Sequence, residues 1–246
     1  MKGVVLAGGR GTRLGFITKV VNKHLLPVYD RPMIMYPIQT LKSMGIKSIM
    51  IVTDKSRAGD FMNFLGSGRD FDLRFTYGLQ DSAAGIADAI SISRDFASGE
   101  DITVILGDNI FIDFLPEVHS KPNSARLFLT KVSDPERFGV ARVLDGNIVD
   151  IVEKPKSHVS DLAVTGLYQY PPDVFDLIEK LTPSERKELE VTALNKEFLK
   201  QNRLDFDIIE SQWIDAGTVE SLYEAQMKVR EHFVNNNSKT EIRVIK

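Results

Sequence analysis

Cysteine is absent from all 246 residues. That excludes disulfides, thiolate nucleophiles, zinc ribbons and iron–sulfur clusters, and it fits a reducing compartment. A basic excess is absent too: 31 Lys and Arg stand against 34 Asp and Glu, a formal net charge of −3. Domains that bind DNA or RNA carry a basic face, so nucleic acid is not an expected partner. No stretch approaches the roughly 20 apolar residues that span a bilayer, and no membrane association is expected. The opening Met1–Gly8 has too short an apolar run for a signal peptide, since Gly8 and Gly9 break it, so the cytoplasm is the expected address. Histidine is scarce. His24, His119, His158 and His232 show no metal-ligand spacing and read as structural or surface residues. No Ser/His/Asp arrangement is legible.

What the chain does have is a 43% hydrophobic content, enough for a sizeable core. Apolar segments of strand and helix length alternate through the first half. Strands are expected at 2–7, 47–52, 72–77 and 102–106, and helices at 33–44, 57–65 and 84–97. The run Ile102-Thr103-Val104-Ile105-Leu106 is continuous rather than alternating, as in a sheet covered on both faces. Strands separated by helices of this length predict right-handed βαβ units and a doubly wound, mostly parallel, Rossmann-like α/β fold. The second half is richer in strands, expected at 125–132, 138–144, 147–153 and 163–170, with Asp145-Gly146 as a hairpin turn. Helices follow near 172–180, 192–201 and 218–234, the last with Thr218 as N-cap, and a short strand is expected at 242–245. No repeat or linker interrupts the chain. It reads as one domain, 1–246, with a first half to about residue 110, an inserted β-rich portion over about 111–225, and a C-terminal helix and tail from 218.

Four clusters carry chemistry. The first is Leu6-Ala7-Gly8-Gly9-Arg10-Gly11-Thr12-Arg13-Leu14, directly after the first strand. Its glycines let backbone N–H groups approach a phosphate, and Arg13 adds a planar cation. It lacks the Gly-Lys-Ser/Thr ending of a P-loop, and Leu14 occupies the third glycine of a dinucleotide fingerprint, which argues against an oxidoreductase. A plain glycine turn remains the alternative for the glycines alone. The second is Lys23, nine residues beyond Leu14: either a further phosphate-binding cation or a solvated strand edge. The third is Gly107-Asp108-Asn109, at the carboxyl end of an expected parallel strand, where such sheets bind ligands. Asp108 there suits Mg²⁺ bridged to phosphates, or else closes an ordinary turn; Asp215, before the last helix, is the candidate second carboxylate. The fourth is Glu153-Lys154-Pro155 at a strand end, where the glutamate could accept from sugar hydroxyls and the lysine neutralise a sugar phosphate, or both could simply be exposed.

Taken together with further stretches, these clusters resemble the sugar-1-phosphate nucleotidylyltransferases. The matching segments are residues 6–14, Lys-His-Leu-Leu-Pro-Val-Tyr-Asp-Arg-Pro-Met-Ile (23–34), Leu-Gly-Asp-Asn (106–109) and Asp-Pro-Glu-Arg-Phe-Gly-Val (134–140). Glu-Lys-Pro (153–155), Ala-Val-Thr-Gly-Leu-Tyr (163–168), Leu-Glu-Val-Thr (189–192) and Trp-Ile-Asp-Ala-Gly-Thr (213–218) follow in the family's order.

The resemblance implies transfer of a nucleotidyl group, with dTTP favoured, to glucose 1-phosphate or a related hexose 1-phosphate, with Mg²⁺ as cofactor. Arg13 would grip the triphosphate and Lys23 the α-phosphate region, while Asp108 and Asp215 would hold Mg²⁺. Leu6, Gly8, Gly9, Gly11 and Thr12, with Gln80 and Gly85, would receive the nucleotide, and Gln80 would read the base edge. Asn109, Gly139, Glu153, Lys154, Val164, Thr165 and Gly166 would line the sugar-phosphate site. A homodimer or homotetramer is expected. The chain departs from the family at Gln80-Asp81-Ser82-Ala83-Ala84-Gly85, where prolines and an aspartate are usual, at Phe138 in place of tyrosine, and at Ala193 in place of aspartate. Uridylyl or cytidylyl transfer by the same machinery, and a non-catalytic nucleotide-sugar sensor, are the alternatives. A sequence stopping soon after its last helix would lack the segment that builds a feedback site in many relatives, so weak feedback is expected.

Overall fold

The computed structural model of the chain describes residues 1–9, 11–112 and 121–236. The arginine at position 10, His119 and the strand expected at 242–245 lie outside the described residues. Strand β1 (Lys2–Leu6) leads through α1 (Ile17–Val20), the small hairpin β2 (Pro27–Val28) and β3 (Arg31–Pro32), and α2 (Met35–Ser43) to β4 (Ser48–Asp54). Helix α3 (Ala58–Leu65), β5 (Arg74–Gln80), α4 (Ile86–Ser91), α5 (Arg94–Ala97) and β6 (Ile102–Leu106) complete the first half. Strands β7 (Asn109–Phe111), β8 (Ala125–Lys131), β9 (Gly139–Leu144), β10 (Asn147–Glu153) and β11 (Leu162–Tyr170) follow. The described residues close with α6 (Val174–Ile178), α7 (Val191–Lys200), β12 (Leu204–Ile208), β13 (Trp213–Asp215) and α8 (Val219–Asn236).

The main sheet runs β10-β9-β11-β6-β1-β4-β5, with β8 paired to β11 and β12 to β8. Strands β6, β1, β4 and β5 are mutually parallel, and β11 lies antiparallel to β6. The continuous apolar strands are buried on both faces, as expected of a parallel sheet. Val5, Ile49, Ile51 and Ile105 pack under α2 and α3 with Ile38, Leu41, Phe61 and Leu65. Val4, Leu6, Val52 and Val104 point the other way, toward Ile90 of α4, Val174 of α6, and Leu194 and Phe198 of α7. The architecture is the Rossmann-like, mostly parallel α/β fold that the sequence predicts.

The chain builds outward from β1 through β4 to β5, then crosses back to place β6 on the other side of β1. That reversal opens a crevice beyond the carboxyl ends of β1 and β6, the position where open α/β sheets bind ligands.

Local chemistry explains several boundaries. Asp145 (φ 48°) and Gly146 (φ 74°) both adopt the left-handed region, as the tight turn between β9 and β10 requires. Thr218 accepts at its Oγ1 from the Ser221 N–H (3.1 Å) while Ser221 Oγ accepts from the Thr218 N–H (3.0 Å), a reciprocal cap on α8. The helix expected over 84–97 is two helices. Between them the buried Ser93 turns its hydroxyl back to the Ile90 carbonyl at 2.7 Å, and Ala97 N–H bonds Ser93 rather than extending the first helix. A third apolar cluster, with Leu14, Val28, Met33, Ile110, Ile214, Leu222 and Val229, joins α8 to the β2–β3 hairpin and the β7–β13 ribbon. Among the described residues no helix is long and apolar enough to cross a membrane.

Candidate active site

Two loops leave the sheet at the crevice. After β1 the Ala7 N–H still donates to the Val52 carbonyl (2.7 Å), and the chain then turns through its glycines. Gly11 sits at φ 64°, and a Cβ there would stand 2.8 Å from Thr18 and 3.1 Å from Lys23, so a side chain is excluded by both strain and space. After β6, Gly107 packs so closely on His24 that a Cβ would lie 2.7 Å from the ring. The first of these loops borders a cleft of about 670 Å³ whose wall includes Gly8, Gly9, Thr12, Asp54, Gln80 and Asp81.

Beside Gly9 of this loop, where an added Cβ would lie 3.4 Å from Lys23 Cε, Lys23 and Asp108, 85 positions apart in sequence, form an ion pair with Nζ–Oδ2 of 2.5 Å. Burial opposes the ionised form of Asp108, but the Lys23 ammonium and the hydrogen bonds from Lys23 and Asn109 hold its carboxyl well below the usual carboxylate range. Asp215 behaves in the opposite sense. Burial, and next the negative charge of Asp108, push its carboxyl up to about 6, against Lys23, Arg13 and Arg137. A buried carboxylate raised by a like charge marks a place short of positive charge. Arg13 stands close by. A Cβ on Gly217 would lie 2.8 Å from Arg13 Nη2 and 2.9 Å from Asp215 Oδ1, so the backbone at Gly217 threads between guanidinium and carboxylate.

The two aspartates are brought together by a ribbon outside the main sheet. Strands β7 and β13 pair antiparallel with Asn109 opposite Asp215, and the Ala216 N–H donates to the Asp108 carbonyl at 2.9 Å. Asn109 is almost fully buried and its amide is shared three ways. Its Oδ1 accepts from the Gly166 N–H (2.8 Å) and Trp213 Nε1 (2.7 Å), and its Nδ2 donates to Asp108 Oδ1 (3.2 Å). Its side chain thus orients Asp108 and fastens the ribbon to β11. Gly166 is required by that closeness, since a Cβ there would lie 2.5 Å from Asn109 Oδ1. The pairing of β11 with β8 is irregular between Val164 and Tyr168, and Thr165, buried in this stretch, donates its hydroxyl to the Phe128 carbonyl at 2.8 Å. Val164 is half-buried nearby.

Across the crevice, Glu153 ends β10 opposite Gly139 of β9. Glu153 Oε2 accepts from Thr192 Oγ1 at 2.8 Å, and its other oxygen lies 3.9 Å from Lys154 Nζ. Lys154 holds φ 43°, a left-handed backbone uncommon for lysine, fixed by its N–H on the Phe138 carbonyl (2.9 Å). Phe138 and Trp213 stack at a tilt, 5.1 Å between ring centres, joining this side to the aspartate ribbon. Leu6, the last residue of β1, is buried and accepts from the Gly107 N–H at 2.9 Å.

Of the histidines, His24 is buried with Nδ1 2.9 Å from Asn22 Oδ1, and burial, then the Lys23 charge, push it down to about 3, so it is a neutral framework residue. His158 is exposed beside Asp161, and His232 packs edge-on against Phe233. Sequence reasoning missed Asp54, which ends β4 at the cleft; the rule that ligands lie beyond parallel strand ends would have found it. It also missed Asp88 and Thr192, which hold Gln80 and Glu153. Nothing in the local sequence signals Asp88 as a partner, and Thr192, although it lies in the matching segment 189–192, shows no pattern that pairs it with Glu153.

The family model described as nucleotidyl transferase matches residues 2–232. The chain is 42% identical over 233 residues to a glucose-1-phosphate thymidylyltransferase of Neisseria gonorrhoeae, covering 92% of this chain and 81% of that protein. It is 43% identical to the protein of that name from Xanthomonas campestris pv. campestris, covering 91% and 79%. Among solved structures, a Bacillus anthracis protein provisionally described as a glucose-1-phosphate thymidylyltransferase, in complex with sucrose, superposes with TM-score 0.89 at 47% identity, over 94% of this chain and 96% of that one. A UDP-glucose pyrophosphorylase complexed with UDP-glucose superposes with TM-score 0.80 at 27% identity, over 94% and 98%.

Proposed function

Because the chain belongs to the nucleotidyl transferase family, we propose that it transfers a thymidylyl group from dTTP to α-D-glucose 1-phosphate, giving dTDP-glucose and pyrophosphate. The observation that carries the reading is the meeting of Lys23, Asp108 and Asp215 beside the glycine loop, at the switch point of the sheet.

The donor chemistry fits Mg²⁺. Asp108 and Asp215 offer hard oxygens, and the charge of Asp108, together with burial, raises the cost of ionising Asp215. The described residues contain no group of three such ligands, as an all-protein cage would need; Mg²⁺ is commonly held by one or two carboxylates, with water and substrate phosphates completing its shell. Held by Asp108 and Asp215, Mg²⁺ would supply positive charge against the triphosphate.

The chain's own residues do the remaining work. Backbone N–H groups of Gly8, Gly9, Gly11 and Thr12, with the Arg13 guanidinium, receive the triphosphate, while Lys23 faces the α-phosphate. Gln80 and Gly85 receive the base. Lys154 meets the sugar phosphate, and Glu153, with one oxygen on Thr192, accepts from hexose hydroxyls with the other. Gly139, Val164 and Gly166 border the hexose, and Asn109 and Thr165 brace that wall from within. The sugar-phosphate oxygen is already anionic near neutral pH and needs no general base. It attacks the α-phosphorus, the bond to the bridging β-oxygen breaks, and pyrophosphate leaves with that electron pair. Holding two polyanions in line by fixed cations is the chief contribution of the protein.

The test is pyrophosphate release from dTTP, UTP, dCTP, ATP and GTP with glucose 1-phosphate and Mg²⁺. Release is expected to be strongest with dTTP. Silence with every nucleotide and with other hexose 1-phosphates would overturn catalysis in favour of a binding role. Lys154→Ala is expected to raise KM for glucose 1-phosphate by about 10- to 100-fold while leaving KM for dTTP nearly unchanged. An unaltered dependence on sugar-phosphate concentration would remove Lys154 from its assigned place.

A further inference from the structure

Gln80 ends β5 at the cleft and is 7% exposed. Its side-chain amide is caught between two acceptors. Nε2 donates to Asp88 Oδ2 at 2.8 Å and to the Gly85 carbonyl at 3.3 Å. Oε1 is thereby turned the other way, toward the glycine loop, where a Cβ added to Gly8 would lie 2.8 Å from it.

An amide is nearly symmetric in shape, so only its partners decide which end presents oxygen. An ionised carboxylate accepts and cannot donate, and a backbone carbonyl likewise only accepts. Rotating the Gln80 amide by half a turn would aim oxygen at two acceptors and lose a charge-assisted hydrogen bond. The turn that opens α4 fixes Asp88 in place, since Ala87 N–H is tied to the Leu189 carbonyl at 3.0 Å and Ala89 N–H to the Gly85 carbonyl at 3.2 Å.

We propose that Asp88 is a positioning residue for base selection: it locks the polarity of the Gln80 amide so that the nucleotide site offers an acceptor to the base. The matching pyrimidine is one whose ring N3 carries hydrogen, as in thymine and uracil. Cytosine presents a bare acceptor nitrogen at that position and would meet oxygen with a lone pair. The inference rests on the reading of Gln80 as the residue facing the base.

The experiment measures kcat/KM for dTTP and dCTP, with glucose 1-phosphate and Mg²⁺, in the whole chain and in Asp88→Asn, Asp88→Glu and Gln80→Ala. Asparagine keeps the size but pairs with the amide in either orientation, because it both accepts and donates. The dTTP/dCTP ratio is expected to fall by at least about tenfold in Asp88→Asn, through KM rather than through kcat with dTTP. Asp88→Glu keeps an acceptor-only partner and is expected to retain most of the preference. Thermal stabilisation by each nucleotide without turnover gives the same comparison independently of the chemical step. A ratio within about twofold of the parent in Asp88→Asn overturns the proposal, as does a parent that does not prefer dTTP to dCTP. Gln80→Ala separates the two ideas. If its ratio collapses and that of Asp88→Asn does not, only the role of Asp88 fails; if its ratio is unchanged, the base-facing reading of Gln80 fails as well.

Discussion

Replacing Asp108 by asparagine is expected to slow turnover by about 10³-fold or more in the presence of Mg²⁺, while nucleotide affinity changes only a few-fold. The asymmetry follows from what Asp108 touches. Its carboxylate pairs with Lys23 and accepts from Asn109, whereas the wall of the cleft is built by other residues, among them Gly8, Gly9, Asp54 and Gln80. Asparagine preserves shape but removes the charge that holds Lys23 and raises Asp215. Steady-state pyrophosphate release together with calorimetric titration of dTTP checks both halves. A variant that keeps near-parental kcat with Mg²⁺ would take Asp108 out of the metal site.

The second large effect is structural. Gly85→Ala is expected to lower unfolding free energy by about 3 kcal/mol or more, because it combines two penalties. Gly85 holds φ 107°, which side-chain-bearing residues rarely adopt, and an added Cβ would stand 2.5 Å from the Leu189 carbonyl oxygen and 2.7 Å from its nitrogen. Those are backbone atoms already bonded to the same turn, Leu189 N–H to Ala84 and the Leu189 carbonyl to Ala87 N–H, so they have little room to retreat. Urea denaturation followed by circular dichroism should show the midpoint falling by about 1 M. A midpoint equal to the parent's would mean that the turn relaxes freely. Any surviving protein should also bind nucleotide poorly, since the Gly85 carbonyl is one of the two groups that hold Gln80.

The parallel half of the sheet was legible because β1, β4 and β6 are apolar runs of strand length that alternate with helices, as in a sheet covered on both faces. The β9–β10 hairpin was legible from Asp145-Gly146. Strands β7 and β13 were not: three residues each give no periodicity, and they exist because they pair with one another across the fold. Strand β12 escaped for a related reason, since it is only half-buried and is recruited by its parallel neighbour β8. At the candidate site, the sequence predicts strand ends at the glycine loop, Asp108 and Glu153-Lys154, and the structure has strand ends there. The ion pair of Lys23 with Asp108, the grip of Thr192 on Glu153 and that of Asp88 on Gln80 were not legible, because each depends on tertiary distance or on a turn's exact path rather than on local pattern.

The β7–β13 ribbon also has a bearing on when the protein becomes competent. A ribosome delivers the chain from its N-terminus, and early segments can begin folding while later ones are still being made. The glycine loop, Lys23 and Asp108 all emerge within the first half, along with the parallel strands that support them. Asp215 arrives only with β13, and the apolar seam behind it closes only when Leu222, Ala225 and Val229 dock on the β2–β3 hairpin and the ribbon. In a chain that has not yet added β13 and α8, Asp108 has no Asp215 opposite it, so the pairing of these two carboxylates waits on a segment about a hundred residues further along.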